Sequence, residues 1–556
     1  MGISRRTFAR GALGAVLGSK FAPPAFAQAR PELAAAMSAI RSYGETHLSY
    51  HHLPGMTLGL VNRDGPHQVL SNVWNFGYAN PDARTPITPD TLFQIGSISK
   101  VMVAAVLHQF AAEGRFRLTD RLSDLLPSVP FPANNAIQVQ HMLDHVAGLP
   151  GDAPMFPEGG LWTAYAPGQH WHYSNTAYEI LGKLAEHFGR KPLAQLLRER
   201  IFLPLGMTRS RGAIIGADRA LYAQGYEAAD MTAAYARGVQ LRPAPWVDVT
   251  FGAGSVASTA GDMLMFMLAL ANATQGKRGL GLSPEQARAF ATHAVPSETP
   301  GMSYGNGLMH VGGGGRAYLH HTGGMLSFSS SFHVDVASGI GAFASSTITA
   351  FAEYRPRQVT RFAVDALTNA LIGRPPPAPP PLEAPLQNAA SFVGRYSGPA
   401  GAFEIRPGSP LTIVADGQSA ALQPLDDDLF RTAHPLFRSF SLLLERKAGT
   451  VTLASWGPNV YLHQGASGEL PASSVALAKL AGRYVDDNPW YGAAPVVERG
   501  GKLWLGTETP MTRIGDNLWR VGKESWSPER ASFANFIDGR PQTFIFSGEK
   551  FIRHDV

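Results

Sequence analysis

The sequence contains no cysteine, and only 16% of its 556 residues are charged. The absence of cysteine excludes disulfides, thiol catalysis and cysteine-held metal sites. The GxxxxGK(S/T) phosphate-binding loop and the HExxH zinc motif are also absent from the sequence, so the nucleotide-dependent and zinc-dependent classes that use them are not indicated. We therefore predict that the protein works without a metal and without a cofactor.

The length of the chain predicts several domains, because single hydrophobic cores stop growing at about 250 to 300 residues. Hydrophobic residues make up 45% of the sequence, which also contains 59 glycines and 42 prolines. This composition is typical of turn-rich globular domains rather than of disordered chains.

The first residues resemble a twin-arginine export signal. Arg5 and Arg6 precede a short apolar stretch that ends at the small-residue site Ala25–Phe26–Ala27, and we assign residues 1–27 to a signal peptide. We therefore expect a periplasmic or secreted protein. Loss of the four basic residues in this segment lowers the formal net charge from +5 to +1, so nucleic acid is not predicted as a partner. No later stretch reaches the ~18 apolar residues that a membrane helix requires, and no membrane partner is predicted.

A proline run from residue 373 to 385 divides the chain, and such a run favours an extended spacer. Upstream, helical and strand-like patterns mix, which predicts an α and β domain over residues 30–372 and a linker over 373–386. Downstream, short alternating runs predict only strands. The sequence FVGRY at 392–396 returns as LAGRY at 480–484, so we expect two similar β domains, 387–472 and 473–556. Antiparallel barrels suit modules of this size, although the pattern leaves a sandwich open.

A serine and a lysine three residues apart are the strongest candidates for chemistry. Ser97 and Lys100 stand at the start of a segment, residues 101–110, that is apolar on nearly all sides, which predicts a buried helix. On a helix, positions i and i+3 face each other, so Lys100 can act as the base for Ser97. Burial and the positive helix end both lower the pKa of such a lysine.

Two other serine motifs in the sequence are assigned no catalytic role. Ser547 and Lys550 share the same spacing, but flanking apolar runs and Gly548 indicate a hairpin turn. The sequence Gly301 to Gly305 matches the G-x-S-x-G elbow around Ser303, yet it lacks the strand before it and the helix after it that the elbow requires.

Two further triplets complete a pattern. Tyr173–Ser174–Asn175 opens a helical segment, and His321–Thr322–Gly323 precedes a strand-like run. In this order and spacing, Ser-x-x-Lys, Tyr-x-Asn and His-x-Gly resemble the class C β-lactamase and penicillin-binding serine peptidase family. Four framework stretches strengthen the resemblance over residues 35–370: HMLDHVAGLPG (141–151), FLPLGM (202–207), GAGSVASTAGDM (252–263) and GGMLSFSSSF (323–332).

The resemblance implies an α+β fold of the β-lactamase/transpeptidase type, with an antiparallel sheet flanked by helices. It implies that Ser97 forms an acyl-enzyme while Lys100 and Tyr173 share its proton, and it leaves open which of the two is the base. Asn175 would orient the substrate amide, and His321 and Gly323 would line the substrate site. The oxyanion hole would use the backbone N–H groups of Ser97 and Gly324.

His321 stands where carboxylate-binding members of the family carry lysine, so a site for a free carboxylate is disfavoured, because histidine is mostly neutral at pH 7. Members that resemble this sequence there, with two appended β domains, include D-stereospecific aminopeptidases. In these the last barrel reaches the active site and favours substrates with a free amino end. The stretch 485–492, with Asp486 and Asp487, is a candidate for that contact.

We therefore expect a serine peptidase or amidase for small peptides or amides with D- or otherwise unusual residues, linearised cyclic peptides included. A carboxylesterase and a penicillin-binding protein or β-lactamase remain as alternatives. The sequence leaves the oligomeric state open, a homodimer included.

Overall fold

The structure is a computed structural model that describes residues 31–64, 68–132, 136–230, 234–383 and 385–554. The signal peptide predicted at residues 1–27 lies outside the described residues. The helices are α1 (Pro31–Tyr50), α2 (Ser99–Ala112), α3 (Leu122–Leu125), α4 (Val139–Leu143), α5 (Asn175–Gly189), α6 (Leu193–Leu197), α7 (Leu203–Leu205), α8 (Ala260–Thr274), α9 (Pro284–Thr292), α10 (Arg357–Leu371) and α11 (Val475–Ala478). Within the described ranges, no helix has both the length and the hydropathy to cross a bilayer.

The first part of the chain is built on a nine-stranded antiparallel sheet. Its strands and the short ones around it are β1 (Gly55–Asp64), β2 (Gln68–Asn80), β3 (Thr85–Pro86), β4 (Phe93–Gln94), β5 (Tyr226–Ala228), β6 (Leu241–Pro243), β7 (Ala257–Ser258), β8 (Val295–Pro296), β9 (Met302–Gly305), β10 (Leu308–Gly313), β11 (Arg316–Gly324), β12 (Ser329–Asp335) and β13 (Gly341–Ser346). The sheet order is β3-β2-β1-β13-β12-β11-β10-β9-β8. Strand β1 therefore pairs with β13, which joins the two ends of this part of the chain.

Helices cover both faces of this sheet. On one face α1 and α10 pack together and contribute apolar side chains such as Ile40 and Phe362 to a core shared with Leu58 of β1. On the other face α8 packs on β1 and β13, and α2 packs against α5. The predicted antiparallel sheet flanked by helices is therefore confirmed.

Helix α2 is buried on nearly all sides, as its apolar sequence predicts. Eleven of its fourteen residues are buried, including Lys100. A helix with no solvent-facing side places any polar group on it in a low-dielectric environment. Lys100 therefore requires specific partners.

The C-terminal part forms two closed barrels of eight antiparallel strands each. The first contains β14 (Gly394–Gly398), β15 (Gly401–Arg406), β16 (Thr412–Ala415), β17 (Gln418–Asp426), β18 (Leu429–Thr432), β19 (Leu442–Lys447), β20 (Thr450–Trp456) and β21 (Asn459–His463). The second contains β22 (Gly482–Val485), β23 (Ala493–Arg499), β24 (Lys502–Leu505), β25 (Thr509–Gly515), β26 (Leu518–Val521), β27 (Arg530–Ile537), β28 (Arg540–Phe546) and β29 (Glu549–Arg553). The predicted barrels are confirmed, and the sandwich that the pattern left open is not formed.

The repeated sequence motif has the same structural role in both barrels. Tyr396 and Tyr484, the last residues of FVGRY and LAGRY, are both buried in the first strand of their barrel. The hydroxyl of Tyr396 donates to the carbonyl of Phe392 at 2.8 Å, and that of Tyr484 donates to the carbonyl of Leu480 at 2.7 Å. The repeat therefore fixes the entry of the chain into each barrel.

The proline run follows the surface of the first part of the chain. The hydroxyl of Tyr43 in α1 donates to the carbonyl of Pro380 at 3.0 Å, and the side chain of Asn369 in α10 donates to the carbonyl of Pro375 at 3.2 Å. These contacts fix the path of the chain toward the first barrel.

Candidate active site

Ser97 lies in a 3-10 turn that continues directly into α2. Gly96 opens this turn with a φ of +54°, a conformation that favours glycine. A Cβ at this position would lie 2.8 Å from the backbone N and O atoms of Gly324 on β11. The hydroxyl of Ser99 donates to the carbonyl of Gly96 at 2.6 Å and ties the turn to the helix. Ser97 is therefore held at the start of a buried helix, beside the end of β11.

Lys100 is fully buried, and its amine has three partners. Nζ lies 3.0 Å from Ser97 Oγ, 2.7 Å from Asn175 Oδ1 and 2.8 Å from the carbonyl oxygen of Ala253. A neutral amine has two N–H donors and one lone pair. Since Asn175 Oδ1 and the Ala253 carbonyl can only accept, they take the two N–H bonds. The lone pair is then left for the Ser97 hydroxyl.

Burial lowers the pKa of Lys100 from 10.5 to about 7, although the negative charges of Asp152 and Glu179 raise it in part. A base whose pKa lies near the working pH is both available and strong enough to accept a proton. The predicted lowering of the Lys100 pKa therefore has its cause in desolvation.

Tyr173 lies in the loop before α5, next to the same amine. Its ring centroid is 4.9 Å from Lys100 Nζ, and its ring packs on His145 at 4.3 Å. Burial raises the pKa of Tyr173 well above its ordinary value, and a hydrogen bond with Ser97 opposes that shift only in part. At neutral pH Tyr173 therefore stays protonated and can donate a hydrogen bond.

Asn175 begins α5, where Ser174 caps the helix by accepting from the N–H of Ala177 at 3.0 Å. Both ends of the Asn175 amide are engaged within the protein. Its Oδ1 accepts from Lys100, and its Nδ2 donates to Asp152 Oδ1 at 2.7 Å. Its predicted role in orienting the substrate stays a prediction, and the structure adds contacts that orient Lys100.

His321 lies on β11 and is only 1% exposed. Its Nδ1 is 2.6 Å from the carbonyl oxygen of Thr322, and its Nε2 is 3.2 Å from the hydroxyl of Tyr304. Burial lowers the pKa of His321 to about 3, and the nearby charge of Lys100 acts in the same direction. The ring is therefore neutral, and it does not line the cavity next to Ser97.

Gly323 and Gly324 end the same strand. A Cβ on Gly323 would lie 1.8 Å from the carbonyl oxygen of Ile95, so no side chain fits there. Gly324 lines the cavity together with Ser97, and the use of their two backbone N–H groups as the oxyanion hole stays a prediction.

A cavity of about 380 Å³ opens from Ser97, and residues from both ends of the chain form its wall. The residues from the first part are Ser97, Asp152, Asn175, Glu179, Phe251, Ala253, Gly254, Gly324, Met325, Leu326, Ala350 and Phe351. Those from the second barrel are Asn488, Trp490, Tyr491, Glu529, Phe546, Ser547, Glu549 and Phe551. The second barrel therefore closes the cavity.

Four carboxylates line this cavity: Asp152, Glu179, Glu529 and Glu549. Burial, together with repulsion from Asp152, raises the pKa of Glu179 to about 7. Burial also raises the pKa of Asp152 and of Glu549. Carboxylates crowded in this way are stabilised in their charged form by a cation placed among them.

The sequence stretch 485–492 does reach the cavity, but through residues other than the two acids. Asn488, Trp490 and Tyr491 line the wall, whereas Asp486 and Asp487 do not. Asp486 instead accepts from the N–H of Asn488 at 2.7 Å and stabilises the turn.

The four acids of the cavity were not identified from the sequence. Asp152 directly follows the framework stretch 141–151, and this position is the one feature of the sequence that could have pointed to it. Glu529 and Glu549 lie more than 370 residues further along the chain, and only the docking of the second barrel brings them to Ser97.

The motifs at Ser547 and Ser303 lie in the local structures that the sequence indicates. Ser547 follows β28 in a hairpin turn, and the side chain of Lys550 is 59% exposed. Ser303 lies on β9, which is followed by strand β10 rather than by a helix. Within the described residues, no hydrogen bond joins either serine to a lysine.

In the part of the chain that the structure describes, no three histidine, aspartate or glutamate side chains lie together in a way that could hold a metal ion.

This chain is similar to known proteins, and the family match includes Ser97. The profile of the beta-lactamase family matches residues 37–364, more than half of the chain. A beta-lactamase from Pseudomonas fluorescens is 32% identical over 168 residues, which cover 28% of this chain and 46% of that protein. A D-aminopeptidase from Brucella anthropi is 30% identical over 208 residues, which cover 34% of this chain and 39% of that protein. The chain thus spans less than half the length of either relative.

Among solved structures, the octameric penicillin-binding protein homologue from Pyrococcus abyssi superimposes with a TM-score of 0.54 at 21% identity. The match covers 77% of this chain and 99% of that chain. At this identity the likeness shows the fold alone.

Proposed function

Because the chain belongs to the beta-lactamase family of serine hydrolases, we propose that it hydrolyses amide bonds of small peptides or amides that carry a free amino end. The observation that carries this proposal is the cavity in which Ser97 faces Asp152, Glu179 and Glu549. An ammonium group beside buried carboxylates forms strong charge-assisted hydrogen bonds. D- or otherwise unusual residues are proposed because a D-aminopeptidase is among the relatives.

In the first step Lys100 takes the proton of the Ser97 hydroxyl, and Ser97 Oγ forms a bond to the substrate carbonyl carbon. Lys100 is assigned as the base because its pKa is lowered to about 7, whereas that of Tyr173 is raised. The carbonyl oxygen becomes an oxyanion, which the N–H groups of Ser97 and Gly324 stabilise.

The carbon–nitrogen bond then breaks, and the leaving nitrogen must gain a proton. In this scheme Tyr173 donates it, because its hydroxyl forms a hydrogen bond with Ser97, and Tyr173 regains a proton from the Lys100 ammonium. Water attacks the carbonyl carbon of the resulting ester and gives a proton to Lys100. The bond between Ser97 Oγ and this carbon then breaks, Lys100 returns the proton to Ser97 Oγ, and the acid is released. The predicted leader would place this reaction in the periplasm or outside the cell.

The experiment is a panel of substrates assayed with the purified protein. It comprises D-alanine p-nitroanilide, its L-enantiomer, N-acetyl-D-alanine p-nitroanilide, p-nitrophenyl acetate and a penicillin. The proposal predicts the highest kcat/KM for an anilide with a free amine. Equal rates with and without the N-acetyl group would remove the ammonium site from the proposal, and turnover of the ester alone would favour the carboxylesterase.

A further inference from the structure

Glu529 of the second barrel contacts the first part of the chain at the wall of the Ser97 cavity. It lies between β26 and β27, and its side chain is only 17% exposed. Oε1 accepts from the N–H of Gly151 at 2.7 Å and lies 2.9 Å from His172 Nε2. Oε2 accepts from the hydroxyl of Ser547.

The backbone of Gly151 forms hydrogen bonds with the first residues of α5. Its carbonyl accepts from the N–H groups of Asn175 at 2.7 Å and of Thr176 at 3.1 Å. The next residue, Asp152, accepts from Asn175 Nδ2 at 2.7 Å. Asn175 in turn accepts from Lys100 Nζ at 2.7 Å. A continuous series of hydrogen bonds thus connects a barrel carboxylate to the amine beside Ser97.

We propose that Glu529 is a positioning residue that fixes the Gly151–Asp152 segment, and through Asn175 holds Lys100 in reach of Ser97. This inference rests on the proposed function of Ser97 and Lys100. It makes the second barrel part of the catalytic apparatus rather than only a wall that selects substrates.

Glu529 does not serve as an ammonium-binding acid, although it lines the cavity. Both of its oxygens already accept hydrogen bonds from within the protein. Burial acts to raise the pKa of Glu529, but the hydrogen bonds from His172, Ser547 and the backbone of Gly151 bring it below the ordinary value. The Glu529 carboxylate therefore stays ionised and bound to these three partners. The acids left to contact a substrate ammonium are Asp152, Glu179 and Glu549.

The test uses the full-length protein and a neutral fluorophosphonate, which labels an activated serine and carries no amine. In Glu529→Ala the N–H of Gly151 loses its acceptor, and a displaced catalytic amine costs reaction rate steeply. The labelling rate of Ser97 and kcat for p-nitrophenyl acetate should fall about 10- to 100-fold, with KM nearly unchanged. The pH of half-maximal labelling should rise from about 7, because a loosened Lys100 becomes more solvated.

Two more variants separate positioning from general loss of folding. Glu529→Gln keeps an oxygen for Gly151 and should restore most of the rate. Glu529→Asp keeps the charge but is one methylene shorter, so it should lower the rate while the melting temperature changes little. The matched control is Lys550→Gln, which removes an exposed ion pair with Glu158 across the same contact and should leave the rate unchanged.

Two results would overturn the inference: a folded Ala or Asp variant that labels at the native rate, or a loss seen only as a higher KM for amine substrates. Failure of Ser97 as the nucleophile has a different signature, since the unmodified protein itself would then not be labelled at Ser97, and failure of the amine specificity would appear only in the substrate panel.

Discussion

The amine of Lys100 donates to Asn175 Oδ1 across 2.7 Å, and these two residues are 75 positions apart in the sequence. The amide of Asn175 cannot accept a proton, so it orients the amine without neutralising it. This arrangement leaves the lone pair of the neutral Lys100 amine for Ser97, and it predicts that the reaction rate depends on the protonation state of this single buried amine.

The pH dependence of the reaction should follow Lys100. Its pKa is lowered to about 7, so the amine is protonated and inactive below that pH and neutral above it. We expect kcat/KM for p-nitrophenyl acetate to rise with pH, with a midpoint near 7 and a plateau above. A midpoint near 10, the ordinary lysine value, would contradict the lowered pKa.

For a substrate with an amine, kcat/KM should rise more steeply with pH than for the ester and should then fall. The pKa of Glu179 is raised to about 7, so ammonium binding improves over the same range in which Lys100 becomes active. An α-amino group loses its charge near pH ~8, and binding should weaken above it. A bell-shaped profile for D-alanine p-nitroanilide beside a plateau for the ester is the expected result, measured as kcat/KM between pH 5 and 10.

Removal of the nucleophile or the base should abolish turnover. Ser97→Ala deletes the attacking oxygen, and Lys100→Met deletes the base, so each should lower kcat/KM by about 10³-fold or more. Ser303→Ala is the control, because that serine lies on β9 and does not line the cavity. Native activity in the Ser97 variant would show that the reaction occurs elsewhere.

The acids of the cavity should control KM only for substrates with an amine. Loss of a hydrogen bond to a charged group costs about 1.5 to 3 kcal/mol, so Glu179→Gln and Glu549→Gln should each raise KM for D-alanine p-nitroanilide about tenfold or more. KM for p-nitrophenyl acetate should not change. Asp487→Asn, an exposed acid of the same barrel, is the matched control, and an effect there equal to that at Glu179 would refute the assignment.

The turn that carries Ser97 should tolerate no side chain at Gly96. Ala at this position has a φ of +54° and a Cβ 2.8 Å from the backbone of Gly324, so Gly96→Ala should lower the free energy of unfolding by about 1 to 3 kcal/mol. It should also lower kcat. Gly314→Ala has a similar φ of +61° but open space around it, so denaturant unfolding should show a smaller loss there and assays should show native activity.

Several features of this molecule could be predicted from its sequence, because the patterns that indicate them are formed by residues close together in the chain. The apolar segment after Ser97 predicted the buried α2, and the repeat around Tyr396 and Tyr484 predicted two similar β domains. The proximity of Ser97 and Lys100 follows from helical spacing, and the placement of Tyr173 beside them followed from the family resemblance.

The rest depends on docking between distant segments, which spacing along the chain does not encode. Glu529 and Glu549 have no sequence signature, since acids in barrel loops are usually solvated. Asp486 and Asp487 were the more conspicuous acids, yet the turn that they form presents Trp490 and Tyr491 to the cavity instead. His321 is expected at the substrate from the family resemblance, whereas in the structure it is buried beside Tyr304 and is not among the residues that line the cavity.

The closure of the second barrel by its last strand has a consequence for the order of events during synthesis. Strand β29 pairs with β22, so this barrel cannot close until residues 549–553 have left the ribosome. A nascent chain folds from its N-terminal end and holds Ser97 long before Glu529 exists. A product that terminates before Glu529 would lack the carboxylate that accepts from the N–H of Gly151, so we expect its Ser97 to react more slowly than that of the full chain.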